Sequence, residues 1–139
     1  MAMRILGFLL VLTGLTACSS GPKADVKLLD ETLHQYASVM RWSDSMEAGV
    51  EFVDPEVLAA HPPRTIDLER MRQLQVAGYR EQAYSFIDDL RVRQVVQIEL
   101  VNRHTQEVRS IVDAQEWRYD PEGKRWWLMT GLPRVDSAR

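Results

Sequence analysis

The hydrophobic pattern of the chain changes period once, and this change narrows the folds that it can adopt. From Ala24 to Trp42, apolar side chains recur at steps of three and four residues, the spacing that places them on one face of an α-helix. From Arg91 to Tyr119, apolar and polar residues alternate, which is typical of strands with one buried face. A long helix followed by antiparallel strands indicates an α+β domain with its helices gathered on one side of a sheet.

Two short helices are predicted between the long helix and the sheet. Asp44 is suited to cap the first of them, with Glu47 placed three residues later to complete a capping box. Asp54 is suited to cap the second, and Pro55 then occupies the first helical position, where proline is favoured. Farther along, Gly78 interrupts a stretch of alternating residues and marks a predicted bulge or bend in the first strand.

The first predicted hairpin joins residues 91–102 to residues 107–119. Pairing the apolar faces of these strands makes residues 103–105 the tip and sets Glu99 opposite Arg109. In this register, Val108 and Val112 belong to the apolar face of the second strand. A slip of one residue would turn every side chain of that strand to the other face.

The second predicted hairpin turns at residues 120–123 and completes a curved sheet of about four strands. Proline presets the backbone of a type I turn, and Gly123 supplies the positive φ of a following bulge. The register that follows places Trp117 opposite Trp127, as an aromatic cross-strand pair. It also places Arg118 opposite Trp126, where a cation–π contact would form.

Composition and charge exclude several classes of protein. The chain has 139 residues and a net charge of −3, so it lacks the electrostatic footprint of a nucleic-acid-binding protein. A single cysteine excludes an intrachain disulfide. The three histidines, His34, His61 and His104, lack the spacing of metal ligands, so we expect neither a metal nor a cofactor.

The N-terminal residues have the pattern of an export signal. Arg4 is the only charged residue among the first 22, and the apolar run at residues 5–15 follows it directly. This run is shorter than the roughly 20 residues of a membrane-spanning helix and fits the core of a signal peptide. The alternative is an uncleaved hydrophobic anchor.

The small residues after this run carry a resemblance to a known class of proteins. The segment Leu15-Thr16-Ala17-Cys18 resembles the lipobox of bacterial lipoprotein precursors. The resemblance implies that residues 1–17 are removed as a signal peptide and that Cys18 carries the lipid anchor. Residues 18–23 would then form the lipidated end and a short tether to a single domain at 24–139. In the enterobacterial sorting rule, Ser19 after the cysteine implies the outer membrane, at its periplasmic face.

A second resemblance concerns the domain itself. Its element order resembles the cone-shaped superfamily of nuclear transport factor two, ketosteroid isomerase and the SnoaL-like cyclases. Particular stretches also resemble a family of uncharacterised proteobacterial lipoproteins, namely Arg41-Trp42-Ser43-Asp44, Phe52-Val53-Asp54-Pro55-Glu56, Val76-Ala77-Gly78-Tyr79, residues 100–105 and Arg125-Trp126-Trp127-Leu128. The superfamily resemblance implies a sheet curled around the long helix, with a pocket at its open end. No residue of this chain aligns with the catalytic positions of the isomerases, and fold alone does not imply function.

Asp113 is the carboxylate with the clearest catalytic potential. It lies in the middle of a predicted strand, on the face that also carries Arg109, Gln115 and Trp117. If that face lines the cone, Asp113 would act as a base or anchor a ligand. The simpler alternative is a carboxylate paired with Arg109 on a solvated face of the sheet.

Aromatic residues supply candidate pocket or interface positions, and the same residues would otherwise serve as core and cross-strand packing. The candidates are Trp42, Tyr79, Tyr84, Trp117 and Trp127. The sheet also carries apolar residues on both faces, as Val95, Val101 and Ile111 show. One face meets the helices, so the other is free to meet a second copy of the chain or another envelope protein.

Taken together, these patterns predict a lipid-anchored, periplasm-facing protein that is not an enzyme. Its cone-like domain would bind a protein partner or a small apolar ligand. The alternative is a SnoaL-like enzyme that acts on a small molecule with Asp113 as its base.

Overall fold

The computed structural model of the chain describes residues 21–136. The predicted signal peptide, Cys18 and the first residues of the predicted tether lie outside the described residues. Within residues 21–136, no helix is long and apolar enough to cross a membrane.

From residue 21 onward, four helical segments precede the sheet, and the first is the long helix that the sequence predicts. They are α1 (Val26–Trp42), a 3₁₀ helix (Met46–Phe52), α2 (Pro55–Ala60) and α3 (Thr65–Arg72). The side chain of Asp25 caps α1 by accepting a hydrogen bond from the backbone N–H of Leu28 at 3.0 Å. The buried face of α1 carries Leu29, Leu33, Tyr36 and Met40, in agreement with the predicted helical face.

The short helices agree with the sequence analysis only in part. Asp54 caps α2 and Pro55 begins it, which confirms that prediction. The predicted cap at Asp44 is wrong, because Ser45 caps the 3₁₀ helix through the backbone N–H of Glu47. Helix α3 was not expected from the sequence, since Met71 is its only buried residue and its apolar pattern is correspondingly weak.

Five antiparallel strands form one sheet that curls around α1. They are β1 (Leu74–Glu81), β2 (Ser85–Asp88), β3 (Arg91–Asn102), β4 (Val108–Asp120) and β5 (Arg125–Leu128). The strand order is β1-β3-β4-β5, and β2 pairs with the start of β3. The register of β1 shifts between Val76 and Gly78, which confirms the predicted bulge. The α+β class, with helices on a curved antiparallel sheet, is therefore confirmed.

The predicted register of the first hairpin is wrong by one residue. Glu99 lies opposite Ser110, and Arg109 lies opposite Leu100. The loop has four residues instead of three, because Gln106 adopts a left-handed φ of 61° and its N–H bonds the carbonyl of Asn102 at 2.9 Å. The shift turns β4 over, so that its odd-numbered residues face the helices and its even-numbered residues face away.

The second hairpin departs from its predicted register in the same way. Trp117 lies opposite Leu128, and Arg118 lies opposite Trp127. This loop also has four residues, and Lys124 supplies the left-handed φ of 48° that was expected at Gly123. Across the strands, Tyr119 instead meets Trp126, with ring centroids 5.2 Å apart.

The interior of the curled sheet is filled by large side chains. Tyr36 of α1 packs edge-on against Trp117 of β4, with ring centroids 5.3 Å apart, and against Phe52 at 5.4 Å. Tyr36, Trp117 and Trp126 have no exposed surface. Trp126 also donates from its Nε1 to the carbonyl of Asp25 at 2.9 Å, which fixes the start of α1 to β5.

An ion pair between a buried carboxylate and a partly exposed arginine joins α2 to the sheet. The carboxylate of Asp54 accepts a hydrogen bond from the guanidinium of Arg118 at 2.7 Å and caps the helix with its other oxygen. Burial alone would raise the pKa of Asp54, but the bonds from Arg118 and from two backbone N–H groups lower it overall. The backbone N–H of Asp54 also bonds the carbonyl of Leu128, so α2 begins at a point fixed against β5.

Gly49 offers a test of how tightly the 3₁₀ helix packs on α1. An added Cβ would lie 3.0 Å from Sδ of Met40, 3.1 Å from the ring of Tyr36 and 3.2 Å from Leu132. We expect Gly49→Ala to lower the free energy of unfolding by about 1–3 kcal/mol, as overpacked cores do. Urea denaturation measures this, with Gly21→Ala as the control because no atom lies within 4 Å of its added Cβ. Equal stability of the two variants would contradict this description of the core.

Candidate functional site

A polar network lies on the helix-facing side of β4. The side-chain amide of Gln115 donates to Asp113 at 2.8 Å and to the hydroxyl of Tyr79 on β1 at 3.1 Å. The amide oxygen of the same glutamine accepts from Nε1 of Trp117 at 3.2 Å. Since Gln115 is only 1% exposed, one buried side chain holds the other three in place.

Burial raises the pKa of the titratable groups in and beside this network. It raises the pKa of the Asp113 carboxyl above its usual range, and the hydrogen bond from Gln115 opposes this shift only in part. Burial also raises the pKa of the Tyr36 and Tyr79 hydroxyls, and the nearby Asp113 raises both further. Within the described residues, the buried hydroxyl of Tyr36 has no hydrogen-bond partner.

Asp113 is therefore not the solvated carboxylate that the simpler interpretation of the sequence expected. It faces the helices together with Ile111 and Gln115, and its hydrogen-bond partner is Gln115, not Arg109. It lies close enough to Tyr36 and Tyr79 for its charge to raise the pKa of both hydroxyls. Tyr36 lies near this network without a hydrogen bond to it, and the sequence analysis did not connect it with Asp113.

A cleft opens between α1 and β1 next to the network. Its volume is about 430 Å³, and its lining residues are His34, Ala37, Ser38, Arg41, Trp42, Tyr79 and Glu81. Tyr79 belongs to both features, since its ring lines the cleft and its hydroxyl meets Gln115. Burial raises the pKa of the Glu81 carboxyl, and the nearby His34 opposes this shift. The cleft is thus a mixed polar and aromatic surface, in contrast to a mainly apolar ligand pocket.

The five aromatic candidates do not form one site. Trp42 and Tyr79 line the same cleft, and Trp42 is 75% exposed with Arg41 over its ring at 4.9 Å. Tyr84 lies elsewhere and donates to Asp30 of α1 at 3.1 Å. Trp117 is a core residue, and Trp127 lies on the opposite side of the sheet under the guanidinium of Arg125, 4.0 Å from its centroid.

The side of the sheet that faces away from the helices carries a second candidate surface. We call it the outer sheet face, and its apolar residues are Val95 and Val101 of β3, Val108, Val112 and Ala114 of β4, and Trp127 of β5. Val108 is 64% exposed and Val112 is 70% exposed. Ion pairs border this surface, including Glu116 with Arg91 at 3.3 Å and with Arg93 at 3.7 Å.

Within the described residues, β4 has a free edge that adjoins the outer sheet face. Strand β5 pairs only with residues 117–120 of β4, and the backbone N–H of Met129 bonds the carbonyl of Glu116 just beyond. Residues 108–115 extend past this pairing. A strand edge with exposed valines is a template for pairing with another chain.

A further cleft was not anticipated from the sequence. It has a volume of about 520 Å³ and lies between α2, α3 and residues 129–136. The bidentate pair of Arg64 with Asp67, at 2.6 and 2.8 Å, lies at its rim. The residues that line this cleft belong to helices and to a C-terminal segment without regular secondary structure, which are far apart in the sequence. No local sequence pattern could therefore have indicated the cleft.

Comparisons with known proteins add no assignment to these surfaces. No protein-family model matches the chain, and neither a curated protein nor a solved structure matches it. Among residues 21–136, no group of three His, Cys, Asp or Glu side chains is placed to hold a metal ion.

The raised pKa of Asp113 predicts how stability changes with pH. Because the folded protein binds this proton more tightly than the unfolded chain, the carboxyl lowers stability as pH rises from its unfolded pKa of about 3.9 through its folded pKa. Asp113→Asn keeps an acceptor oxygen for Gln115 but has no proton to lose. We expect the variant to be more stable than the original chain at pH 7, by on the order of 1 kcal/mol.

Urea denaturation at pH 3 and pH 7 measures this difference. The gain should shrink at pH 3, where Asp113 is protonated in both the folded and the unfolded chain. Asp89→Asn is the matched control, because it removes one carboxylate from an exposed turn. If Asp113→Asn is less stable than the original chain at pH 7, the charged form of Asp113 is stabilised by its neighbours in the folded protein, and the prediction is wrong.

Proposed function

We propose that this chain is a lipoprotein anchored through Cys18 to the periplasmic face of the outer membrane, and that its domain binds a protein partner without catalysing a reaction. The partner occupies the outer sheet face and the free edge of β4. The observation that carries this proposal is the exposure of Val108 and Val112, at 64% and 70%, on one side of one strand.

The filled interior supports binding at the surface over binding inside the cone. Tyr36, Trp117 and Trp126 occupy the space between α1 and the sheet and have no exposed surface. A ligand that entered between them would have to displace closely packed aromatic rings, which costs the contacts that hold the core together.

The chemistry of the outer sheet face fits a protein interface. Its valines alternate with polar side chains, since Ser110 lies between Val108 and Val112 on the same face, and interfaces commonly combine apolar contacts with hydrogen bonds. Trp127 with the stacked Arg125 adds the two residue types most enriched at interface hot spots. The edge of β4 offers backbone donors and acceptors to an added strand, and the alternating valines beside it would give specificity.

The lipid anchor has a direct test in the cysteine itself. Cys18→Ser removes the thiol that would carry the lipid, so we expect the protein to leave the membrane fraction and its precursor to remain unprocessed. Fractionation and mass measurement of the product check both effects. If membrane retention is unchanged in Cys18→Ser, the N-terminal segment is an uncleaved hydrophobic anchor.

The partner surface is tested by photocrosslinking in cells. A photoreactive amino acid at position 112 should give an adduct of defined mass, whereas the same group at Lys27 on the solvated side of α1 should give none. An adduct of twice the chain's mass would identify a second copy, and any other mass a different envelope protein. Without an adduct at position 112 and without self-association of the purified protein, the proposal fails.

Val112→Glu gives the corresponding loss of function. Because Val112 is 70% exposed, the substitution should change the free energy of unfolding by less than about 0.5 kcal/mol. The glutamate becomes a buried, unpaired charge only when the partner is bound. In this variant the photoreactive amino acid is placed at position 108 instead of 112, and we expect the adduct from position 108 to be lost. Val112→Thr is the control that keeps the shape of the side chain without adding a charge, and it should retain the adduct.

A second candidate function is favoured by the network around Asp113. Its carboxyl has a raised pKa and lies beside the hydroxyls of Tyr79 and Tyr36, next to an open cleft. This arrangement suits a SnoaL-like enzyme that acts on a small molecule with Asp113 as base. The Asp113→Asn variant separates the candidates, because it would abolish turnover by such an enzyme and leave crosslinking through position 112 unchanged.

A further inference from the structure

We propose that a third surface of the domain, formed by Val26, Phe86 and Ile87, rests on the bilayer to which the chain is anchored. This inference depends on the proposed lipid at Cys18 and adds an orientation of the domain relative to the membrane. We call these three residues the apolar patch. Their occupant is the surface of the lipid bilayer.

The apolar patch consists of exposed side chains that the fold brings together from two elements. Val26 is the first residue of α1 and is 44% exposed, whereas Phe86 and Ile87 of β2 are 49% and 40% exposed. These residues line one shallow cleft of about 410 Å³ together with Lys23 and Ala24, through which the chain enters the domain. The patch therefore lies where the tether meets the fold.

The apolar patch is held in a fixed position relative to α1. The ring of Phe86 packs edge-on against Tyr84, with centroids 6.0 Å apart, and the hydroxyl of Tyr84 bonds Asp30 at 3.1 Å. On the other side, Nε1 of Trp126 bonds the carbonyl of Asp25. The start of α1 and the strand β2 thus move as one body, and the patch presents a constant surface.

The length of the tether brings this surface to the membrane. Lys23 is the fifth residue after Cys18, and five extended residues reach at most about 18 Å. With the lipid of Cys18 embedded, the end of the domain at Lys23 stays close to the bilayer. Apolar side chains that face a nearby bilayer are stabilised by entering its interfacial region, as the apolar faces of peripheral helices are.

The charges beside the apolar patch fit lipid headgroups that carry both signs. Lys23 is positioned to meet phosphate, and the exposed carboxylate of Asp89 is positioned to meet an ammonium group. Asp88 is already paired with Arg91 at 2.7 Å, so it adds little net charge. The surface thus suits a zwitterionic bilayer over a strongly anionic one.

This orientation leaves the outer sheet face accessible to a partner. Strand β2 pairs with the first residues of β3, whereas Val108 lies opposite Val101 near the last residue of that strand. Twelve residues of strand span about 40 Å. With the apolar patch on the membrane, the far end of the β3–β4 hairpin projects away from it.

Site-specific fluorescence in vesicles tests this orientation. The processed, lipid-modified protein is purified from membranes as the variants Phe86→Cys and Val108→Cys, labelled at the new thiol with the fluorophore NBD. It is then reconstituted into phosphatidylcholine–phosphatidylethanolamine vesicles that contain lipids with a nitroxide on the acyl chain. Cys18 is the only native cysteine, and in the lipid-modified protein its sulfur is bonded to the diacylglyceryl group. The label therefore reports one position, and unsubstituted protein measures background labelling.

We expect the label at position 86 to lose most of its fluorescence to the nitroxide and the label at position 108 to keep it. Ile87→Cys should behave like Phe86→Cys. Agreement between the two positions shows that the quenching does not result from replacing one particular side chain. Similar emission at positions 86, 87 and 108 would overturn the inference. A blue-shifted label at position 86 that the nitroxide does not quench would mean that protein covers the patch, which also overturns it.

Flotation of the same vesicles distinguishes a failure of the proposed orientation from a failure of the proposed lipid anchor. Protein that floats with the vesicles but whose label at position 86 is not quenched is anchored without resting on the patch, so only the present inference fails. Protein that does not float lacks the anchor, and then both the proposed lipid and the orientation are wrong.

Discussion

The contact between α1 and the curled sheet is the interaction on which the rest of the structure depends. Tyr36 meets Trp117 edge-on at 5.3 Å, and both side chains are completely buried. A sheet with one apolar face is stable only when another element covers that face, and α1 supplies the cover. Because the rings of Tyr36, Trp117 and Phe52 fill the interior, the surfaces available for recognition lie at the cleft beside α1, on the outer sheet face and at the end near the tether.

The packing of large rings also explains why the polar network is so constrained. Gln115 satisfies Asp113, Tyr79 and Trp117 at once, since polar groups taken out of water must find partners inside the protein. Within the described residues, two buried side-chain atoms have no partner, the hydroxyl of Tyr36 and Oε1 of Gln94. A buried carboxylate whose partners are neutral favours its protonated form, so this network is both a part of the core and the group of residues with the clearest chemical potential.

The proposed surfaces have different chemistry and lie on different sides of the domain. The outer sheet face combines exposed valines, a strand edge and arginines, which suits a protein chain. The apolar patch combines Phe86 and Ile87 with charges of both signs beside a tether of five residues, which suits a bilayer. A domain held at one end by lipid would thus keep its sheet turned toward the periplasm, where a protein partner is accessible.

The sequence by itself determined most of the elements but neither α3 nor β2, and it determined the buried face of α1, the bounds of β3, the cap at Asp54 and the bulge at Gly78. It did not determine which face of β4 is buried, because apolar residues occur on both faces, with Val108 and Val112 on one and Ile111 and Trp117 on the other. The tertiary structure decided this through two loops of four residues, in which Gln106 and Lys124 adopt left-handed φ angles. These loops shift each register by one residue. Asp113 is therefore in the interior and Val112 is at the surface, because side chains alternate along a strand and a shift of one residue exchanges its faces.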